Sequence, residues 1–262
     1  MTQIVISGLA RGSVYSLIGL AYYIIYETTN LLNFATGDLV MVGAMVNFTV
    51  FTLAGSPFYF SLPAALLVAA LLGVLIERMA IRPLKTFTGA GYIMSTIGAG
   101  MIFRNIAILI WGGGEQYTDS VFGKDIIKIF DAGILPQEIA NFVICIVVAL
   151  CLMVFLKKSL LGKGLRAVAH NKEVAELMGI NVKNMVMLAY MLSAALAALA
   201  GVLISPVTYA SPSMGIIGQK AFGAAIVGGL KNPTGILIGG LILGIVEFVF
   251  SALGGAAMRE AS

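Results

Sequence analysis

The sequence predicts an all-α fold, a polytopic transmembrane helical bundle of about eight spans, some of them short, broken or re-entrant. Three observations carry that prediction. Of 262 residues, 60% are hydrophobic and 11% charged, where an ordinary soluble domain carries about 25% charged residues. Apolar runs such as Ile139 to Leu156 are continuous, whereas a transmembrane barrel alternates over segments of about ten residues. The chain also holds 31 glycines, and small residues let helices approach closely in lipid, where no water drives association. Spans of about 20 residues with short connections leave no room for a second domain, so 1–262 reads as a single transmembrane domain.

The first span is placed near residues 4–26. No positively charged leader or convincing cleavage site precedes or ends it, so a retained helix is expected rather than a removed signal. Arg11, inside this run, reads as the mark of a later start. Then comes "LLNFATGDLVMVGAMVNF", 31–48, which sets Asn33, Thr36, Gly37 and Asp38 between two apolar runs. A turn at the membrane surface and an interrupted helix lining a polar path would both account for it.

The second, third and fourth spans are placed near 38–54, 61–77 and 92–111, the fourth interrupted by Arg104 and Asn105. The fifth, 139–156, carries Cys145 and Cys151, whose spacing puts them on different helix faces; they read as small hydrophobes, neither a disulfide nor a metal site. The sixth, seventh and eighth fall near 185–205, 216–230 and 234–253, with Lys220 opening the seventh and Glu247 inside the eighth. The second and seventh are short and carry glycine near their ends. They are the candidates for broken or re-entrant helices, which a membrane tolerates where protein or a water-filled cavity satisfies the freed backbone groups. Small-xxx-small spacings at Gly8/Gly12, Ala197/Gly201, Gly235/Gly239 and Gly240/Gly244 point to close helix packing, as do Gly228 and Gly229 at the short seventh span.

Loop charges set the orientation. The stretch 77–85 has Arg78, Arg82 and Lys85 against Glu77, and 157–184 has Lys157, Lys158, Lys163, Arg166, Lys172 and Lys183 against Glu173 and Glu176. Loop 112–138 instead has Lys124 and Lys128 against Glu115, Asp119, Asp125, Asp131 and Glu138. Lys and Arg mark the cytoplasmic side, which puts the N-terminus outside. In the cytoplasmic loop at about 157–184, Gly164 to Met178 reads as one short amphipathic helix stopped by Gly179. Such a helix lies on the membrane or docks into a partner; the residues alone leave both open.

The usual marks of an enzyme are missing. There is no GxxxxGK[ST] loop, and "GKG" at 162–164 lacks its leading glycine and its hydroxyl. There is no HExxH, CxxC or GxSxG, and the single His170 cannot form a metal cluster, so no cofactor and no metal are expected. The net charge of +4 comes from basic loops and implies no nucleic acid. An unpaired charge at membrane depth costs at least about 2.5–3.5 kcal/mol, so Arg104, Lys220 and Glu247 are expected to face the bundle interior, a water-filled path or a partner. Glu247 paired with Arg104 or Lys220 would neutralise both costs, although a lysine near a span end can also snorkel to the headgroups.

Four blocks, 8–45, "STIGAGMIFRN" (95–105), "LGKGLRAVAHNKEVAELMGINV" (161–182) and "KAFGAAIVGGLKNPTGILIGGLILGIVE" (220–247), resemble in order the permease subunits of branched-chain amino acid ABC importers. The resemblance implies a prokaryotic inner-membrane permease that pairs with a second homologous permease, two cytoplasmic ATPase subunits and a periplasmic or extracellular substrate-binding protein. It implies that 161–182 is the segment docking on the ATPase, with Gly164, Arg166, Ala167, His170, Glu173, Ala175 and Gly179 in that contact. "NFATGD" matches the family's Asn-Phe-Ala-x-Gly-acid signature, with Thr36 where the family usually has His. Asn33, Thr36, Gly37, Asn105 and Glu247 are the candidates for the translocation path. Urea, short amides or other amino acids remain alternatives to branched-chain solutes, and a stand-alone secondary transporter or channel is the rival class. Family members generally continue into a further hydrophobic segment, whereas this chain stops at "GGAAMREAS", too short to span about 30 Å; either a naturally short chain or a truncated one that misses a C-terminal helix would account for it.

Overall fold

The computed structural model describes residues 2–84, 90–123, 127–129 and 132–254. Lys85, Lys124, Asp125, Asp131 and the terminal stretch from Gly255, with the alternatives of a short or a truncated chain, lie outside the described residues. In order, the elements are α1 (Thr2–Thr29), α2 (Thr36–Asn47), α3 (Phe58–Leu75), α4 (Ala90–Trp111), β1 (Ile127–Ile129), β2 (Ala132–Ile134), α5 (Pro136–Lys158), α6 (Leu160–His170), α7 (Lys172–Leu177), α8 (Val182–Thr208), α9 (Gly215–Gly228) and α10 (Pro233–Gly254).

Among the described residues seven helices are long and apolar enough to cross a membrane, so the chain is a multi-pass membrane protein. The seventh predicted span, α9, has 14 residues and rises only about 21 Å, too little for the roughly 30 Å of hydrocarbon. The other expectation of a broken span needs correcting. α2 continues without interruption as a π-helical turn, Phe48–Leu53, to give an unbroken span Thr36–Leu53. The break lies in front of it, at 30–35. α4 is likewise continuous through Arg104 and Asn105, because both polar groups find partners without freeing backbone. Nor does Arg11 mark a late start: α1 runs past it, with its guanidinium 5.7 Å from the centroid of the Phe248 ring.

Backbone-close packing builds the bundle around α1 and α8. Gly8 and Gly12 of α1 leave space that the α10 backbone at Gly240, Leu241, Gly244 and Ile245 occupies, and Ser16 Oγ donates across the seam to the Leu237 carbonyl at 2.7 Å. Gly201 of α8 lies on Val40, and Gly43 of α2 on Ala198. Tyr15, Ile18, Leu39, Met41, Met45 and Tyr190 fill the core between them. Cys145 is buried, Cys151 is exposed and both are free.

The helix ends sort by charge. Arg78, Arg82, the α6–α7 lysines and Lys231, whose ammonium lies over the Tyr26 ring at 5.9 Å, mark a basic end. Glu115, Asp119 and Glu138 lie toward the other end, where Gln116 and Ala210 exchange backbone hydrogen bonds of 2.7 and 2.9 Å. The antiparallel pair β1–β2 precedes α5 and was not expected from the sequence.

Candidate functional site

The break between α1 and α2 is a small polar knot built from short side chains. Asn30 takes a positive φ of 57° and ends α1, a conformation that Asn tolerates better than most residues. Asn33 then holds the turn: its Oδ1 accepts from the Ala35 N–H at 3.1 Å and its carbonyl from the Thr36 N–H at 3.2 Å. Asn33 and Thr36 are buried, and their Nδ2 and Oγ1 find no partner among the described residues. Asp38 follows in the first turn of α2, where the partial positive pole of the helix favours a carboxylate.

Asp38 Oδ1 accepts from Arg104 Nε at 3.2 Å and Nη2 at 3.0 Å, joining α2 to the middle of α4. Two glycines border this ion pair. A Cβ on Gly100 would fall on Asp38 Oδ2, and one on Gly215 would meet Arg104 Nη2 and Asp38 Oδ1. Gly37 lies directly on Gly218, so the first turn of α9 touches the first turn of α2 backbone to backbone. α9 therefore begins beside a charge pair inside the bundle and runs towards the basic end, with Phe222 between the rings of Tyr22 and Phe34 at 5.3 and 5.5 Å.

A second charged group lies on the other flank of α9. Lys220 Nζ donates to Glu247 Oε1 at 2.8 Å, and the Tyr15 hydroxyl donates to Glu247 Oε2. This group borders a cavity of about 430 Å³ towards the acidic end, lined also by Arg11, Glu138, Asn141 and Phe248.

At the basic end, α6 packs through Gly162, Leu165 and Val168. Ser159 caps α6 by accepting from the Gly162 N–H at 2.9 Å, and Asn171 caps α7 by accepting from the Val174 N–H at 3.1 Å. The single expected helix at 164–178 is thus two helices, because Asn171 leaves helical conformation at φ −157° to make that cap. α7 buries Ala175 and exposes Val174, Leu177 and Met178, with Leu177 87% exposed, before Gly179 turns the chain at φ 81°.

The expected path residues do not converge. Asn33, Thr36 and Gly37 meet at the break, but they are buried rather than open to a cavity. Asn105 points to the exposed side of α4, its amide donating only to the Met101 carbonyl at 2.7 Å, so it does not join them. Glu247 sits in its own cluster with Lys220, one of the two partners foreseen; Arg104 instead takes Asp38. Of the residues expected to dock, Arg166, His170 and Glu173 are exposed, Gly179 is an exposed turn, Ala175 is buried, Ala167 is half-buried and Gly164 packs on Met185. Gly228 lies against Gly235, Gly239 against Ala224, Gly240 against Ser16 and Gly244 against Gly12, while Gly229 makes a turn at φ 85°. Sequence reasoning overlooked Asp38 as a partner, although hydropathy places its carboxylate at the edge of a span. It also missed Gly100, Gly215 and Gly218, whose importance is a matter of contact alone.

The family described as "Branched-chain amino acid transport system / permease component" matches residues 4–261. The high-affinity branched-chain amino acid transport system permease protein LivH of Salmonella typhimurium is 32% identical over 95% of this chain and 86% of its own length. The corresponding protein BraD of Pseudomonas aeruginosa is 32% identical over 94% of this chain and 84% of its own. Among solved structures, "PsaBC from Streptococcus pneumoniae in complex with Fab" superposes with a TM-score of 0.57 at 13% identity, over 99% of this chain and 85% of that one. That likeness concerns the fold.

Proposed function

Because the chain belongs to the family of permease components of branched-chain amino acid transport systems, we propose that it forms, with a second homologous permease, the path by which an ATP-driven importer carries branched-chain amino acids across a prokaryotic inner membrane. Two cytoplasmic ATPase subunits dock at the basic end, and a periplasmic or extracellular binding protein delivers solute to the acidic end.

The observation that carries the reading is α9, a helix of 14 residues that starts at the Asp38–Arg104 pair instead of at a membrane face. Half-length helices in transporters direct their polar ends at a solute near mid-membrane. Asn33 Nδ2 and Thr36 Oγ1 are buried donors without partners among the described residues; a shift of α9 off Gly37 opens them to solute, which makes this corner the inner part of the path. Asn105 supports the paired permease, since an exposed amide among apolar residues within a span suits a protein neighbour better than lipid. Val174, Leu177 and Met178, ringed by Lys172, Glu173 and Glu176, form an apolar knob with a charged rim, which suits a groove on the ATPase.

The test is reconstitution of the chain in liposomes with its sister permease, ATPases and binding protein. Leucine uptake should require ATP inside the ATPase compartment. Uptake by the chain alone, driven by an ion gradient or by diffusion, refutes the reading, and a cognate binding protein selective for urea overturns the branched-chain assignment.

A further inference from the structure

The cavity towards the acidic end contains charges that the ion pairs of the bundle leave unmatched. Its volume, about 430 Å³, lies in the range of small-molecule sites, roughly 300–1,000 Å³. Four charged residues line it: Arg11 from α1, Glu138 from α5, Lys220 from α9 and Glu247 from α10. Lys220 and Glu247 satisfy each other, with Tyr15 donating to the second carboxylate oxygen.

The other two remain. Among the described residues Arg11 makes no hydrogen bond or ion-pair contact; it approaches the Phe248 ring, and its charge is felt at the Glu247 carboxylate and the Tyr15 hydroxyl without touching either. Glu138 accepts a single long contact from the Leu135 N–H at 3.4 Å. An arginine this far along a membrane helix is stable only against water or an anion, and its planar fork is matched to a carboxylate. One cation and one anion therefore face the same small space unpaired. The rest of the wall mixes the polar Ser7, Asn141 and Ser251 with an apolar patch formed by Val14, Ile204, Val207 and Phe248.

We propose that this cavity binds a free α-amino acid on the permease itself, Arg11 taking the carboxylate, Glu138 the ammonium, and the apolar patch a branched side chain. The site is separate from the Asn33–Asp38 corner and precedes it on the way inward, with Lys220 and α9 as the partition between the two. The inference takes its direction of travel from the importer reading, but its chemistry stands on the cavity.

The experiment uses the full chain in lipid nanodiscs and three probes in titration calorimetry: L-leucine, L-leucinol, which lacks the carboxylate, and 4-methylpentanoate, which lacks the amine. Wild type should bind leucine more tightly than either analogue. Arg11→Gln should weaken leucine on the order of tenfold, as for loss of a charged hydrogen bond, and leave leucinol unchanged, which also shows that the variant is folded. Glu138→Gln should weaken leucine and leucinol and spare 4-methylpentanoate. The proposal is overturned if wild type fails to bind leucine, if each variant weakens all three probes alike, or if leucine affinity follows the nanodisc headgroup instead of residue 11. ATP-driven uptake by the assembled importer separates the two ideas. Leucine uptake that Arg11→Gln leaves unaltered removes the cavity from the path while the importer stands, whereas a wild-type importer that moves no branched-chain amino acid removes the importer reading.

Discussion

Replacing Asp38 by Asn leaves the Arg104 guanidinium inside the bundle with no carboxylate among its described neighbours. Breaking a buried pair usually costs 3–5 kcal/mol, but here the arginine side chain is 36% exposed and the aspartate 11%, so solvent retains part of the charge and about 2 kcal/mol is the expected loss. Arg104→Gln leaves Asp38 in the first turn of α2, where the helix pole still favours it, and should cost about 1 kcal/mol. The double variant removes both charges and leaves two amides that can bond each other, so its loss should fall about 1 kcal/mol short of the sum of the single losses. All four proteins can be compared by thermal unfolding in detergent and by ATP-driven uptake in liposomes. If the single losses add to within roughly 0.5 kcal/mol, the two residues do not interact energetically and the site described around them is wrong.

Gly218→Val places a branched side chain where the Gly37 backbone already sits, and should cost more than about 3 kcal/mol or displace α9; an unchanged unfolding temperature would show that the two helices are not in contact. Leu177→Glu changes a side chain that is 87% exposed, so membrane insertion and unfolding should hardly change while stimulation of the partner ATPase falls, as it should for the double reversal Arg166→Glu with Glu173→Lys. Coupled transport at the wild-type rate in both would place the docking contact elsewhere. Asn105→Leu removes an amide bonded only to its own helix and should leave the isolated chain as stable as before while weakening its association with the sister permease. Equal association, measured by cross-linking across a dilution series, would put the α4 face against lipid.

Hydropathy made the seven long helices legible, because a run such as Ile139–Leu156 has a single physical solution in lipid. It also located the short seventh helix and the charges that need partners. It could not choose the partners. Arg104 meets Asp38 and Lys220 meets Glu247 because α9 wedges between α2 and α10, a tertiary fact that no local pattern encodes. The polar knot at Asn33–Asp38 is legible as the break, its turn held by Asn33, whereas the glycines of α2, which suggest a broken second span, serve helix contact. At 164–178 the amphipathic period runs on through Asn171 while the cap interrupts it, so periodicity and capping disagreed and the cap prevailed. The strands at 127–134 alternate too briefly, three residues each, to stand out from a loop.

The two charge pairs and the length of α9 bear on one another. A helix of 14 residues cannot place itself by matching the thickness of hydrocarbon, so side chains must hold it at its depth. Its two halves are held by different kinds of contact. At the base, Gly228 of α9 presses backbone on backbone against Gly235 of α10, Gly239 of α10 presses in turn on Ala224 and Gly228, and Gly229 turns the chain at a φ of 85°; these contacts lose packing at once if they separate. At the head, Gly215 lies under the Asp38–Arg104 pair and Lys220 reaches Glu247. Ion pairs can exchange partners with water or with a zwitterion at far smaller cost than a packed seam can open. Motion of α9 should therefore be a swing of the head about a fixed base, driven by whatever displaces those pairs. A cysteine cross-link that ties the base to α10 should leave transport intact, and one that ties Gln219 to Val246 across the head should stop it; the reverse result would place the hinge at the wrong end.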